Sequence, residues 1–269
     1  MSNPDQGYDA MGTYYALHAT DTPAAPVVLV HGVGMDHTMW DRQVQELSPQ
    51  FQVLRYDLLG HGRTPHSPAT KAVADFVAQL VELLQHLAID RFHLVGFSLG
   101  GLIAQKFCGT QPERLLSVTF MSTVYQRTEQ ELEGVRERLR LTEAGNLKAI
   151  ADAAIERWFR KPFRDKHPEL MAQIHKRLLN NDLNGYFTAY RCFVQGDPEI
   201  GDALTKVTCP ALVITGECDV GSTPAMCERM ARDLQKPTVK ILPGLHHLAP
   251  VEGPDAMNKA LLSFLSAAI

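Results

Sequence analysis

The sequence is poor in cysteine, and its cysteines do not pair into a framework. There are five, at 108, 192, 209, 218 and 227, an odd number with no C-x-x-C spacing. A disulfide scaffold or a zinc site is therefore not expected, and a reducing cytoplasm is the expected setting. No stretch approaches the ~18 consecutive apolar residues of a membrane-spanning helix. No basic block occurs, and a net charge of −4 gives no reason to expect a nucleic-acid or membrane partner. The opening residues Met1-Ser2-Asn3-Pro4-Asp5-Gln6-Gly7 have neither a positive start nor an apolar run, so they do not read as a signal peptide. Internal repeats and low-complexity tracts are also missing. What is present is ordinary for a globular chain. Its 269 residues, 45% apolar and 21% charged, suit one large α/β domain carrying an insertion.

Short apolar runs alternate with helical patterns. Pro26–Val30 is continuously apolar, as a strand buried on both faces must be. Further strands are expected at Phe51–Asp57, Phe92–Phe97, Ser117–Met121, Ala211–Thr215 and Thr238–Leu242. Val73, Phe76, Val77, Leu80, Leu84 and Leu87 share one helical face. Leu99–Phe107 and Ala256–Leu265 read as two more helices. Such alternation implies a mainly parallel sheet with right-handed crossovers. From about residue 124 to 204 the strand rhythm stops and helix formers dominate. We read residues 124–204 as a helical cap inserted into a core made of 1–123 and 205–269.

The chemistry starts at Gly96-Phe97-Ser98-Leu99-Gly100, where a strand gives way to a helix. In a nucleophile elbow the serine sits on a sharp strand-to-helix turn, and flanking glycines make room for it. The Leu99 N–H, at the helix start, would face developing negative charge. His31-Gly32-Val33-Gly34 follows the first core strand, where a second oxyanion donor belongs; Val33 N–H is the candidate, with the His31 side chain a structural hydrogen-bonder of the loop. A serine needs a base, and the base an orienting acid, in the chain order serine, acid, histidine. His246 and His247 both follow the last strand. His247 is preferred because it opens His247-Leu248-Ala249-Pro250-Val251-Glu252. Asp219, just past Ala211–Thr215, is the preferred acid, with Glu217 as the alternative. Ser98, Asp219 and His247 are thus the expected catalytic set, and Val33 and Leu99 the expected oxyanion hole.

Taken together, His31-Gly32 with Trp40, the Gly60-His61-Gly62 turn, the Gly96–Gly100 elbow, Gly216–Asp219 and His247–Glu252 resemble the α/β-hydrolase superfamily over nearly the whole chain. Within it, Glu156-Arg157-Trp158-Phe159, Phe163-Arg164 and His167-Pro168-Glu169 resemble the 3-oxoadipate enol-lactonases. The resemblance implies an α/β-hydrolase fold with a helical cap. It also implies a serine hydrolase acting through an acyl-enzyme on a small-molecule ester or lactone, with no cofactor and no metal. Trp158, Phe159, Arg160, Arg164 and Arg191 are the expected substrate contacts. Phe163, Tyr186, Tyr190 and Phe193 are further candidates for the pocket wall. Arg157 joins the other three cap arginines as a possible partner for a substrate carboxylate. Rival readings are a carbon–carbon bond hydrolase or perhydrolase on the same triad, or a ligand-binding receptor.

Overall fold

Every side chain of Val27–Val30 is fully buried, and the strand it forms lies at the centre of an eight-stranded sheet. The computed structural model describes residues 4–20, 24–143 and 145–268. The strands are β1 (Asp5–Tyr8), β2 (Tyr14–His18), β3 (Val27–Val30), β4 (Val53–Tyr56), β5 (Phe92–Phe97), β6 (Leu115–Met121), β7 (Ala211–Gly216) and β8 (Pro237–Leu242). Their spatial order is β1-β2-β4-β3-β5-β6-β7-β8. The pairings from β4 through β8 are parallel, and β1 and β2 add an antiparallel edge. The sheet is thus mainly parallel, and all six expected strands are present. The β1–β2 pair was not expected. β1 is mostly exposed, so it is held by its ladder to β2 and carries no apolar signature.

The helices are α1 (Asp41–Leu47), α2 (Val73–His86), α3 (Leu99–Thr110), α4 (Glu129–Glu143), α5 (Leu147–Trp158), α6 (Lys161–Lys166), α7 (Pro168–Leu179), α8 (Leu183–Gln195), α9 (Asp197–Ile200), α10 (Pro224–Asp233), α11 (Ala249–Glu252) and α12 (Pro254–Ala267). α3 packs on β5 and β6, and α1 packs on α12. Burial of Phe76, Leu80, Leu83 and Leu84 explains the apolar stripe of α2.

Helices α4 to α9 all fall between β6 and β7, with no strand among the described residues there. This helical excursion seats on the core through very close contacts. A β-carbon on Gly185 of α8 would come within 2.5 Å of the Gly60 carbonyl oxygen, and one on Gly60 within 2.5 Å of the Gly185 α-carbon. Only glycine at both positions lets the two backbones meet. Asn181 adds a hydrogen bond from its side-chain amide to the Gly34 carbonyl at 3.0 Å.

Candidate active site

The carboxyl ends of β3, β5, β7 and β8 deliver the site, as expected for a parallel sheet of this kind. Ser98 follows β5 directly with φ 54° and ψ −112°, a left-handed conformation that a non-glycine residue adopts only when its surroundings enforce it. The enforcement is visible. Ser98 N–H donates to the Met121 carbonyl at 3.0 Å, and the Thr123 hydroxyl donates to the Ser98 carbonyl at 2.7 Å. A β-carbon on Gly96 would lie 2.1 Å from the Gly100 carbonyl oxygen, so the strand and helix could not fold back on each other with any larger residue. Leu99 is the first residue of α3, and its N–H has no carbonyl within its own helix to meet.

His247 lies beyond β8 and turns its Nδ1 to Asp219 Oδ2 at 2.7 Å. Asp219 is itself buried and fixed, its Oδ1 accepting the Gly221 and Ser222 N–H groups at 2.9 Å each. The carboxylate therefore acts as both turn former and histidine partner. Glu217 goes elsewhere, accepting from Gly244 N–H at 2.9 Å. The His246 N–H donates to Glu252 Oε2 at 2.6 Å. His31 is fully buried, with Nδ1 2.8 Å from the Gly32 carbonyl oxygen and Nε2 accepting the Leu58 N–H at 3.0 Å. These bonds make it a brace for the Val33 loop, and burial holds its pKa down. Phe97 packs 5.1 Å from the His247 ring and is backed edge-on by buried Trp40.

Ser98 and His247 line one cavity with Val33, Gly221 and Ser222 from the core and Arg138, Arg157, Trp158, Tyr186, Tyr190 and Phe193 from the helical excursion. Its free space is about 40 Å³. Of the expected substrate contacts, only Trp158 is among these lining residues, its ring 6.2 Å from that of His247. Phe159 is buried and stacks on Phe163 at 5.6 Å, inside the helical packing. Arg160 lies against Glu252 with its side chain 46% exposed. Arg164 lines a surface groove with Asp152 and Glu156. Arg191 folds over its own helix neighbour Phe187 at 5.4 Å.

The cations that do reach the cavity are Arg157 and Arg138. Arg157 continues the buried face of α5 made by Ala151, Ala154 and Trp158. Arg138 falls between buried Val135 and Thr142 on α4. Those spacings are readable in the sequence, and they pick out the two arginines on inward faces. Arg138 Nε donates to the Tyr190 hydroxyl at 3.0 Å. Among the described residues neither arginine forms an ion pair. Burial, followed by the neighbouring Arg138 charge, lowers the Arg157 pKa.

One group of possible metal donors occurs among the described residues: Asp36, His37 and Asp57. The protein already engages them. His37 Nδ1 is 2.7 Å from Asp57 Oδ1, Asp36 Oδ2 is 3.0 Å from Arg177 Nε, and Asp57 Oδ2 accepts the Arg63 N–H at 2.8 Å. They line a separate open groove of about 900 Å³. Their bonding is that of a structural staple.

Comparison with known proteins fits this geometry. Residues 27–260 match the model of the Alpha/beta hydrolase family. A relative from Acinetobacter baylyi, "(E)-2-((N-methylformamido)methylene)succinate hydrolase", is 31% identical over 240 residues, covering 89% of this chain and 90% of that one. The "3-oxoadipate enol-lactonase 2" of the same organism is 26% identical over 253 residues, 94% of this chain and 92% of that one. The crystal structure of the enol-lactonase from Burkholderia xenovorans superposes with a TM-score of 0.88 at 27% identity, covering 97% of this chain and all of that one. The chain belongs to the alpha/beta hydrolase family and is a hydrolase.

Proposed function

We propose that the protein is a serine hydrolase that cleaves a small carboxylate-bearing ester or lactone, of the 3-oxoadipate enol-lactone type, through an acyl-enzyme. The observation that carries this reading is the pair Arg138 and Arg157, cations without an ion-pair partner among the described residues, in the same cavity as Ser98 and His247. A cation partly withdrawn from water is favoured by an anion beside it, and arginine binds a carboxylate with two parallel hydrogen bonds. Residues 124–204 act as the cap that brings these cations over the core. The five free cysteines support a reducing, cytoplasmic setting.

In this mechanism the Ser98 hydroxyl attacks the acyl carbon while His247 Nε2 takes its proton. Asp219 accepts the His247 Nδ1–H and stabilises the imidazolium that forms. The Leu99 and Val33 N–H groups receive the oxyanion. Collapse expels the enolate or alkoxide, protonated by His247, and a water then repeats the sequence on the acyl-enzyme. A second substrate, an enamide of a succinate, is favoured by the 31%-identical relative. It would pass through the same steps with nitrogen as the leaving atom. Ser98 and His247 share one cavity and His247 Nδ1 lies 2.7 Å from Asp219 Oδ2, which supports an enzyme over a receptor.

A serine-directed fluorophosphonate should label Ser98 in the wild type. The enzyme should also turn over a carboxylated enol-lactone or enamide. Labelling of another serine, with Ser98→Ala still active, would remove this reading.

A further inference from the structure

The motif that opens at His247 ends at Glu252, a residue the proposed chemistry does not use. Its side chain is completely buried. Each carboxylate oxygen takes a different backbone donor. Oε1 accepts the N–H of Arg160, which lies in the cap, at 2.7 Å. Oε2 accepts the N–H of His246, the residue before the proposed base, at 2.6 Å. A second bond runs parallel: Leu248, the residue after the base, donates its N–H to the Trp158 carbonyl at 3.3 Å. Both neighbours of His247 are therefore tied to the cap segment 158–160. The short helix α11 that carries Glu252 is held from the core side, where buried Gln43 donates to the Pro250 carbonyl at 3.0 Å. Trp158, whose carbonyl takes the Leu248 bond, also lines the cavity beside Ser98 and His247. Movement of segment 158–160 away from α11 would break both the Arg160–Glu252 bond and the Leu248–Trp158 bond.

We propose that Glu252 is a positioning residue that latches the cap segment 158–160 to the His247 loop, so that the seating of this segment and the alignment of the base are coupled. The proposal rests on the reading of His247 as base and Ser98 as nucleophile. A carboxylate suits the task because it offers one acceptor to each N–H. Glutamine has one acceptor oxygen, and its amide would face the second donor.

Arg160→Pro tests the cap half alone. Arg160 already has φ −63° and ψ 147°, and Phe159 before it is extended at φ −138° and ψ 139°, so proline fits this backbone. The ring removes the N–H and places a carbon where it pointed. Arg160→Ala keeps the N–H and removes the guanidinium, which lies 3.6 Å from Glu252 Oε1, so it isolates the side chain's share of the contact. In amide hydrogen exchange, Arg160→Pro should speed exchange across 244–252 by about tenfold, the scale of one lost hydrogen bond. Arg160→Ala, which keeps the N–H, should change exchange across 244–252 much less than Arg160→Pro, and Glu252→Gln should loosen both 156–163 and 244–252. Unchanged exchange across 244–252 in Arg160→Pro would overturn the latch. The rate constant for phosphonylation of Ser98 by a small fluorophosphonate is the functional readout. It should fall about tenfold in Arg160→Pro, with the final labelled fraction unchanged. A lower labelled fraction with an unchanged rate constant would mean a purely structural role and would also overturn the latch. A wild type that never labels at Ser98 would instead overturn the hydrolase mechanism, and the exchange result would still judge the tether.

Discussion

The sheet core and the helical excursion contribute to the cavity in different ways. The core supplies groups fixed by backbone geometry: Ser98 on a forced turn, Asp219 held by two N–H bonds, His247 held by Asp219. The excursion supplies side chains from helix faces: Arg138, Arg157, Trp158, Tyr186, Tyr190 and Phe193. A motif at a strand end places its residue wherever the fold recurs. A helix face points inward only if its neighbours pack it that way. On the function proposed above, the core would carry the chemistry and the excursion the choice of substrate.

The sharpest way to break this division is on the core side. Ser98→Ala and His247→Ala should each fold and lose activity by about a thousandfold or more, while His246→Ala should change it by less than about tenfold. Steady-state rates on an activated ester decide it. Equal losses for the two histidines would show that the Asp219 contact does not mark the base. Next come the two cations of the excursion. Arg157→Ala and Arg138→Ala should each raise KM for a carboxylated substrate by about ten- to a hundredfold with kcat little changed, the scale of a lost charged hydrogen bond. Arg164→Ala and Arg191→Ala, outside the cavity, should leave KM near wild type. A KM effect confined to Arg164 or Arg191 would mean substrate approaches from the surface grooves.

The same division decided what the sequence made legible. The six strands that build the parallel body, the elbow and the His247–Asp219 partnership could be read because apolar runs and turn chemistry are local. Helix spacing places Arg138 and Arg157 on inward faces, but which inward faces meet Ser98 is set by packing between distant segments. Arg160 lies just past the end of α5, where the chain turns extended, and its side chain leaves the cavity for Glu252 and solvent. Arg157, three residues earlier, stays on the buried face. Arg138 is separated from Ser98 by forty residues and joins it through the packing of α4 on α8 and α5. The β1–β2 hairpin was silent because backbone bonds, not apolar burial, hold β1.

A smaller effect probes the seam between the regions. Gly185→Ala forces a methyl group into the Gly60 backbone, so it should destabilise the fold by about 1–3 kcal/mol and loosen the cap. Thermal melting checks this, and an unchanged Tm would mean the seam yields freely. The smallest expected effect lies in the core's acid sensitivity. Burial is the leading cause that lowers His61 to about 3 and His93 and His18 to about 4 from 6.5. The unfolded chain then binds protons at these sites, between about pH 6.5 and 4, that the folded chain refuses. Stability contributed by keeping them neutral is present above pH 6.5 and is lost as pH falls through that window. Urea midpoints at pH 7 and pH 5 measure it; a higher midpoint at pH 5 would contradict the assignment.

The central claim, that the core performs acyl transfer and the excursion selects an anion, is tested most directly by one ratio. It is kcat/KM for 3-oxoadipate enol-lactone divided by that for its methyl ester, in the wild type and in the Arg138→Ala/Arg157→Ala double variant. We predict a wild-type preference for the acid of at least about tenfold. In the double variant that preference should disappear while the rate on the neutral methyl ester is retained. Equal kcat/KM for acid and ester in the wild type would contradict the account and leave an unselective carboxylesterase in its place.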